Sequence, residues 1–229
     1  MATSAEYVHF IKGVYRGGLM KLWAECLNDS YDKVFWNDGK LLEYIVLRGF
    51  ELEREGCVTY PYDVIDPDSD YKKPIEQIDG AVHVDELHAL VECKDYDHAK
   101  IKVEPLTKMR NQLARRHGTV FGMFFSITDL TTPALIQVKY MAPQMIVIWS
   151  KEDIDHCLKT GHFIECMKAK YRMAVEYCKY KYDFFMDDSL FYYHSSEDRI
   201  LLSHAMFWTM TQLQFFKSKM RKEKFFLLL

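Results

Sequence analysis

The chain has 229 residues, of which 49% are hydrophobic and 15% aromatic, and its formal net charge is −3. This composition excludes a disordered chain, and the length suits one compact α/β domain with or without a helical appendage. The charge excludes a protein that coats nucleic acid with its whole surface, so any basic contact surface must be local.

The first half of the chain predicts a helical lead-in, a buried helix and a strand. The lead-in covers residues 1–38. The helix covers about 39–50 with Asp38 as its N-cap, and its apolar residues occur nearly all round, which indicates burial. Residues 57–65 predict a strand in which Pro61 requires an edge position or a bulge.

Two further strands are predicted over 75–84 and 88–94, around a short polar turn at Asp85-Glu86. The segments that follow alternate between helix and strand. They are expected over 105–117 (helix), 119–126 (strand), 131–141 (helix) and 144–149 (strand). This order predicts an α/β fold with a partly parallel central sheet flanked by helices. We therefore divide the chain into the lead-in, a core over 39–150 and a C-terminal helical extension over 151–229.

The two predicted strands bring three charged side chains together. Residues two apart on a strand face the same side, so Glu92 and Lys94 share a face. A two-residue turn pairs Val84 with Leu87 and places Asp79 directly opposite Glu92, at a Cβ separation of about 4.5–5.5 Å. Any even-length turn keeps Asp79 on that face, whereas an odd-length turn needs a bulge to restore it.

This arrangement is typical of a metal-dependent hydrolase. Facing carboxylates among apolar neighbours repel each other and are costly to bury, and a divalent cation removes that cost. Mg²⁺ prefers oxygen ligands, which Asp79, Glu92 and the backbone carbonyl of Cys93 offer. A bound metal lowers the pKa of water and offsets charge at phosphorus, while Lys94 can orient the water or stabilise the transition state.

The spacing of Asp79 from Glu92-Cys93-Lys94 resembles the PD-(D/E)xK signature of restriction-endonuclease-like nucleases, including the Mrr-like branch. The resemblance covers roughly residues 39–150, and Ile78 stands where the signature has proline. It implies an α-β-β-β-α-β core, Mg²⁺ as cofactor with Mn²⁺ as a substitute, and 5′-phosphate products. It also implies that the buried helix lends an acidic residue, for which Glu43 is the candidate.

The helix that follows the signature carries a candidate nucleic-acid surface. Lys108, Gln112, Arg115 and Arg116 fall on or near one face at helical spacing, which suits a track for the phosphate backbone. The resemblance implies that polar residues of this helix reach the active site, with Arg110 and Gln112 as candidates. An ordinary solvated helix face explains the same pattern equally well.

The expected function is a metal-dependent endonuclease that hydrolyses DNA, in the manner of a type II restriction endonuclease. Two alternatives keep the fold: a catalytically silent nucleic-acid-binding or scaffolding domain, and a nuclease for RNA or branched DNA. A cross-strand ion pair on a half-exposed hairpin is the structural alternative for the triad, and a carboxylate favoured by the helix dipole is the alternative for Glu43.

The expected partners and location follow from the same reading. Double-strand cleavage usually requires two active sites, so we expect a homodimer, and a partner protein of a defence system is a further expectation. The six cysteines form no Cys-x-x-Cys pair, which favours a reduced, cytoplasmic protein. No apolar run reaches the roughly 20 residues that span a bilayer, so no membrane contact is expected.

Overall fold

A computed structural model describes residues 2–37, 39–65, 74–95, 99–116 and 120–184. The helices in these ranges are α1 (Ser4–Lys12), α2 (Arg16–Leu27), α3 (Lys40–Glu53), α4 (Val103–Ala114), α5 (Thr132–Lys139), α6 (Lys151–Thr160) and α7 (Phe163–Tyr177). The strands are β1 (Val58–Thr59), β2 (Tyr62–Val64), β3 (Glu76–Ile78), β4 (Gly80–Val84), β5 (Leu87–Lys94), β6 (Val120–Ser126) and β7 (Ile146–Trp149).

Five strands form a mixed central sheet in the order β1-β4-β5-β6-β7, and β2 and β3 form a separate two-stranded sheet. The β1–β4 and β4–β5 pairs are antiparallel, whereas β5–β6 and β6–β7 are parallel. Parallel neighbours require crossover connections, which α4 and α5 supply. The predicted α/β fold, with a partly parallel sheet flanked by helices, is confirmed.

The helix α3 is enclosed by other elements of the described part of the chain, as its apolar sequence predicts. Every residue from 41 to 47 is buried, together with Gly49 and Phe50. One side of α3 contacts β1, β4 and β5, and the other sides contact α1, α2, α6 and α7. A helix enclosed in this way cannot shift without disturbing the whole core, so α3 is a rigid support for any side chain that it directs toward the sheet.

Gly49 lets α3 approach α7 closely, and its replacement by Ala should lower stability. A Cβ at Gly49 would lie 2.7 Å from Cζ of the Phe163 ring, so the ring or the helix must move. Overpacking of this kind costs about 1–3 kcal/mol. The matched control is Gly17→Ala in α2, where a Cβ meets no atom within 4 Å. We expect the control to raise the free energy of unfolding by about 0.4–1 kcal/mol, so that urea unfolding shows opposite signs for the two variants.

The strands predicted over 57–65 and 75–84 are each divided in the structure. The first becomes β1 and β2, which are separated by Tyr60 and Pro61, because proline lacks the N–H that a continuous ladder needs. The second becomes β3 and β4, which are separated by Asp79. Each division lets the chain leave the central sheet and form the small β2–β3 sheet.

The predicted cap of α3 is wrong. The N-cap residue is Gly39 with φ 77°, a left-handed conformation that suits glycine, which has no side chain to cap the helix. Asp38 lies outside the described residues. The predicted C-terminal extension contains α6 and α7, and the rest of it from 185 onward lies outside the described residues as well.

The segment after α7 returns to the edge strand β7. Ile148 donates its N–H to the carbonyl of Tyr180 at 2.8 Å. Farther along, the ammonium of Lys170 donates to the carbonyls of Ile148 (3.0 Å) and Tyr182 and forms an ion pair with Asp153 at 2.7 Å. This buried cluster ties the segment to the sheet. Across the described ranges, no helix has the length and apolar character that crossing a membrane requires.

Candidate functional site

The β4–β5 hairpin has the register that the sequence predicts. Val84 pairs with Leu87 across the two-residue turn, and Gly80 pairs with Val91 at the other end. The ladder ends at that pair, and Asp79 lies just before it, between β3 and β4. Its Oδ2 accepts a hydrogen bond from the Cys93 N–H at 3.1 Å. The backbone of β5 therefore holds the Asp79 carboxylate beside the residue that separates Glu92 from Lys94.

The Lys94 ammonium lies among the oxygen atoms of this group. Its Nζ is 2.6 Å from Oε1 of Glu92, 3.0 Å from the carbonyl oxygen of Cys93 and 4.0 Å from Oδ2 of Asp79. Burial pulls the pKa of Lys94 down, but the charges of Glu92 and Asp79 and the hydrogen bond to Glu92 raise it above its ordinary value. The lysine is therefore fully protonated at neutral pH.

The sequence predicts three metal ligands here: the carboxylates of Asp79 and Glu92 and the backbone carbonyl of Cys93. They converge on a single position that a cation, the ammonium, already occupies. Carboxylate and carbonyl oxygens are the donors that Mg²⁺ prefers, so the donor set fits that metal. Within the described ranges, no three His, Cys, Asp or Glu side chains form a group that could hold a metal ion. The set consists of two carboxylates and one backbone oxygen.

Glu92 has a second cation partner that the sequence analysis did not predict. Lys108 of α4 places its Nζ 3.1 Å from Oε1 and 3.2 Å from Oε2 of Glu92. Glu92 has no exposed surface, and a buried carboxylate needs such compensation. Helical spacing alone placed Lys108 on a basic face. Its actual partner depends on how α4 crosses β5, which the sequence pattern does not reveal.

Glu43 is buried in the first turn of α3, and its partner is Lys40. The Lys40 Nζ lies 2.9 Å from Oε1 and 2.8 Å from Oε2 of Glu43. Burial and the charge of Asp79 raise the pKa of Glu43, whereas Lys40 and Lys94 lower it, and the result is a pKa of about 8. Glu43 therefore lies near enough to Asp79 and Lys94 for their charges to act on its pKa.

The raised pKa of Glu43 predicts a pH dependence of stability. A carboxyl group whose folded-state pKa exceeds its unfolded value stabilises the fold fully below the unfolded pKa. That contribution is lost as the pH rises from about 4.5 through about 8. Urea unfolding in EDTA should therefore show that the wild type loses stability over this range relative to Glu43→Gln, which cannot ionise. Parallel pH profiles of the two proteins would contradict the assignment.

The structure gives most of the other predicted nucleic-acid residues a contact within the protein. Arg115 and Arg116 pair with Glu76 at 2.6 and 3.1 Å, and the Gln112 amide donates to the carbonyl of Gln77 at 3.0 Å. Gln112 is buried, so these three residues attach α4 to β3. Arg110 is exposed on the surface of α4. Of the residues predicted on α4, Lys108 and Arg110 are therefore the ones whose exposed side chains could contact a ligand.

The comparisons with known proteins found no family model that matches the chain and no curated protein that resembles it.

Proposed function

We propose that the protein is a metal-dependent nuclease of the PD-(D/E)xK type that hydrolyses DNA phosphodiester bonds. The observation that carries the proposal is the convergence of Asp79, Glu92 and the Cys93 carbonyl on one cation position. The element order supports it, because α3, the three central-sheet strands β1, β4 and β5, then α4 and β6 follow the α-β-β-β-α-β arrangement that the resemblance implies. The restriction-endonuclease-like fold is part of this proposal.

The proposed mechanism assigns one role to each side chain. Asp79, Glu92 and the Cys93 carbonyl would hold Mg²⁺, which would supply an acidified water molecule and positive charge near the phosphorus. The Cys93 N–H keeps Asp79 in place, and full burial restricts rotation of the Glu92 side chain. Lys94, once it leaves the cation position, remains tethered beside it and donates hydrogen bonds to the attacking water or to a phosphoryl oxygen.

A plasmid cleavage assay tests the proposal. Purified protein is incubated with supercoiled DNA in Mg²⁺, in Mn²⁺ and in EDTA, beside Lys94→Ala. We expect nicking or linearisation that requires the metal and that the variant lacks. Linearisation without accumulation of nicked circles would support the homodimer that concerted cleavage of both strands needs. Cleavage that persists in Lys94→Ala would refute the assignment.

A second candidate is a silent nucleic-acid-binding domain on the same fold. The observation that favours it is the pairing of each site carboxylate with a lysine, which makes the cluster stable without any metal. Binding of DNA, RNA or a branched junction without cleavage, in Mg²⁺ and in Mn²⁺, would select this candidate. Metal-dependent cleavage of RNA or of the junction alone would keep the mechanism and change the substrate.

A further inference from the structure

The candidate site is electrically balanced before any metal binds. The carboxylates of Asp79 and Glu92 are matched by the two ammonium groups that contact them, those of Lys94 and Lys108. The balance depends on the lysines, because a buried carboxylate that loses its compensating charge becomes strongly unfavourable. A divalent cation that enters brings two further positive charges. The carboxylates then no longer need both ammonium groups for compensation.

Lys108 is the lysine best placed to leave Glu92. Its side chain is 48% exposed, whereas that of Lys94 is 21% exposed and also donates to the Cys93 carbonyl. Lys94 must shift off the cation position to admit the metal but remains beside it, whereas Lys108 faces water and can leave Glu92 altogether at little cost in hydration.

An anionic ligand would meet the released ammonium on the surface of α4. Arg115 and Arg116 are held by Glu76. Among the residues that the structure describes, Lys108 and Arg110 are then the basic residues of the predicted track with no carboxylate contact once the cation takes Glu92. Lys108 lies within reach of the Glu92 carboxylate and hence of any phosphate that a cation bound there would contact.

We propose that Lys108 is an exchangeable counter-ion: it pairs with Glu92 while the cation is absent and binds a nucleic-acid phosphate when the cation is present. This inference rests on the proposed function. The exchange makes the binding of the cation and of the nucleic acid cooperative. The cation releases Lys108 from Glu92, and the phosphate provides the released ammonium with a new partner. By linkage, nucleic acid must strengthen cation binding by the same factor by which the cation strengthens nucleic-acid binding.

Lys108→Met should change the two affinities in opposite directions. Without the ammonium, Glu92 keeps one compensating lysine and attracts a cation more strongly, so the cation alone binds more tightly. The same variant lacks the phosphate contact, so a DNA duplex binds more weakly in the presence of the cation. A mutation that only disturbed the fold would weaken both affinities.

The experiment measures Ca²⁺ binding by calorimetry, with and without a short DNA duplex, because Ca²⁺ takes oxygen ligands as Mg²⁺ does. A gel after each titration checks that the duplex is intact. In the wild type we expect the duplex to raise the Ca²⁺ affinity by about tenfold or more, which corresponds to about 1.4 kcal/mol of coupling. In Lys108→Met we expect tighter binding of Ca²⁺ alone and most of the coupling lost.

The matched control is Arg110→Met on the same helix, which should weaken duplex binding but leave the affinity for Ca²⁺ alone unchanged. Equal Ca²⁺ affinities of the wild type with and without duplex, in a protein that cleaves DNA, overturn the exchange and leave the proposed function intact. Weaker Ca²⁺ binding by Lys108→Met also overturns the exchange. A wild type that binds no Ca²⁺ in either condition overturns the exchange, and the plasmid cleavage assay decides the proposed function separately.

Discussion

Glu92→Gln should reduce metal-dependent cleavage by roughly 10³-fold, because the metal loses a charged ligand that supplies several kcal/mol of transition-state stabilisation. The amide has almost the same shape as the carboxylate, so packing around this fully buried position is preserved. Single-turnover cleavage of a labelled duplex measures the change. Lys94 and Lys108 lose their common partner, and we expect the free energy of unfolding to fall by about 1–3 kcal/mol.

The control for this variant is Glu86→Gln, which makes the same chemical change in the exposed turn of the same hairpin. Its cleavage rate should equal that of the wild type. Full activity in a folded Glu92→Gln protein would show that the carboxylate does not bind the catalytic metal. Loss of activity in both variants would point instead to a general effect of the hairpin charge.

The register of the β4–β5 hairpin could be predicted from the sequence, because it depends only on the number of residues in the turn. Side chains alternate along a strand, so a two-residue turn fixes the hairpin register, which the structure confirms from the Val84–Leu87 pair to the Gly80–Val91 pair next to Asp79. Glu43 became a candidate through the resemblance, which implies that the buried helix lends an acidic residue to the site, and the structure places Glu43 among the buried residues of α3.

The partners of the basic residues on α4 could not be predicted in this way. Helical spacing places Lys108 and Arg115 on one face, but it does not state which carboxylates lie beneath that face. The answer depends on the crossing of α4 over β3 and β5, which brings Lys108 to Glu92 and Arg115 to Glu76. Such tertiary contacts are set by packing of the whole core, and no short pattern encodes them.

The largest effect on stability should come from the buried ion pair between Asp153 and Lys170, whose side chains are both 1% exposed. Asp153→Ala leaves the Lys170 ammonium buried without its counter-ion, and it removes the acceptor of the N–H groups of Ser150 and Phe184. Breaking one side of such a pair costs about 3–5 kcal/mol. Urea unfolding with a fixed slope should report this loss as a lower midpoint.

The adjacent surface pair provides a control on the same helix. Asp155 pairs with Lys159 at 2.5 Å, but both side chains are exposed, so Asp155→Ala should cost about 0–1 kcal/mol. Adding Lys170→Met to Asp153→Ala removes the uncompensated charge, and the double variant should recover part of the loss. Recovery is expected because the apolar stem of Met can fill the space beside the Trp149 ring that the ammonium now faces at 5.5 Å. A double variant less stable than Asp153→Ala would mean that the hydrogen bonds of Lys170 to the carbonyls of Ile148 and Tyr182, and not its charge balance, hold the C-terminal segment on the sheet.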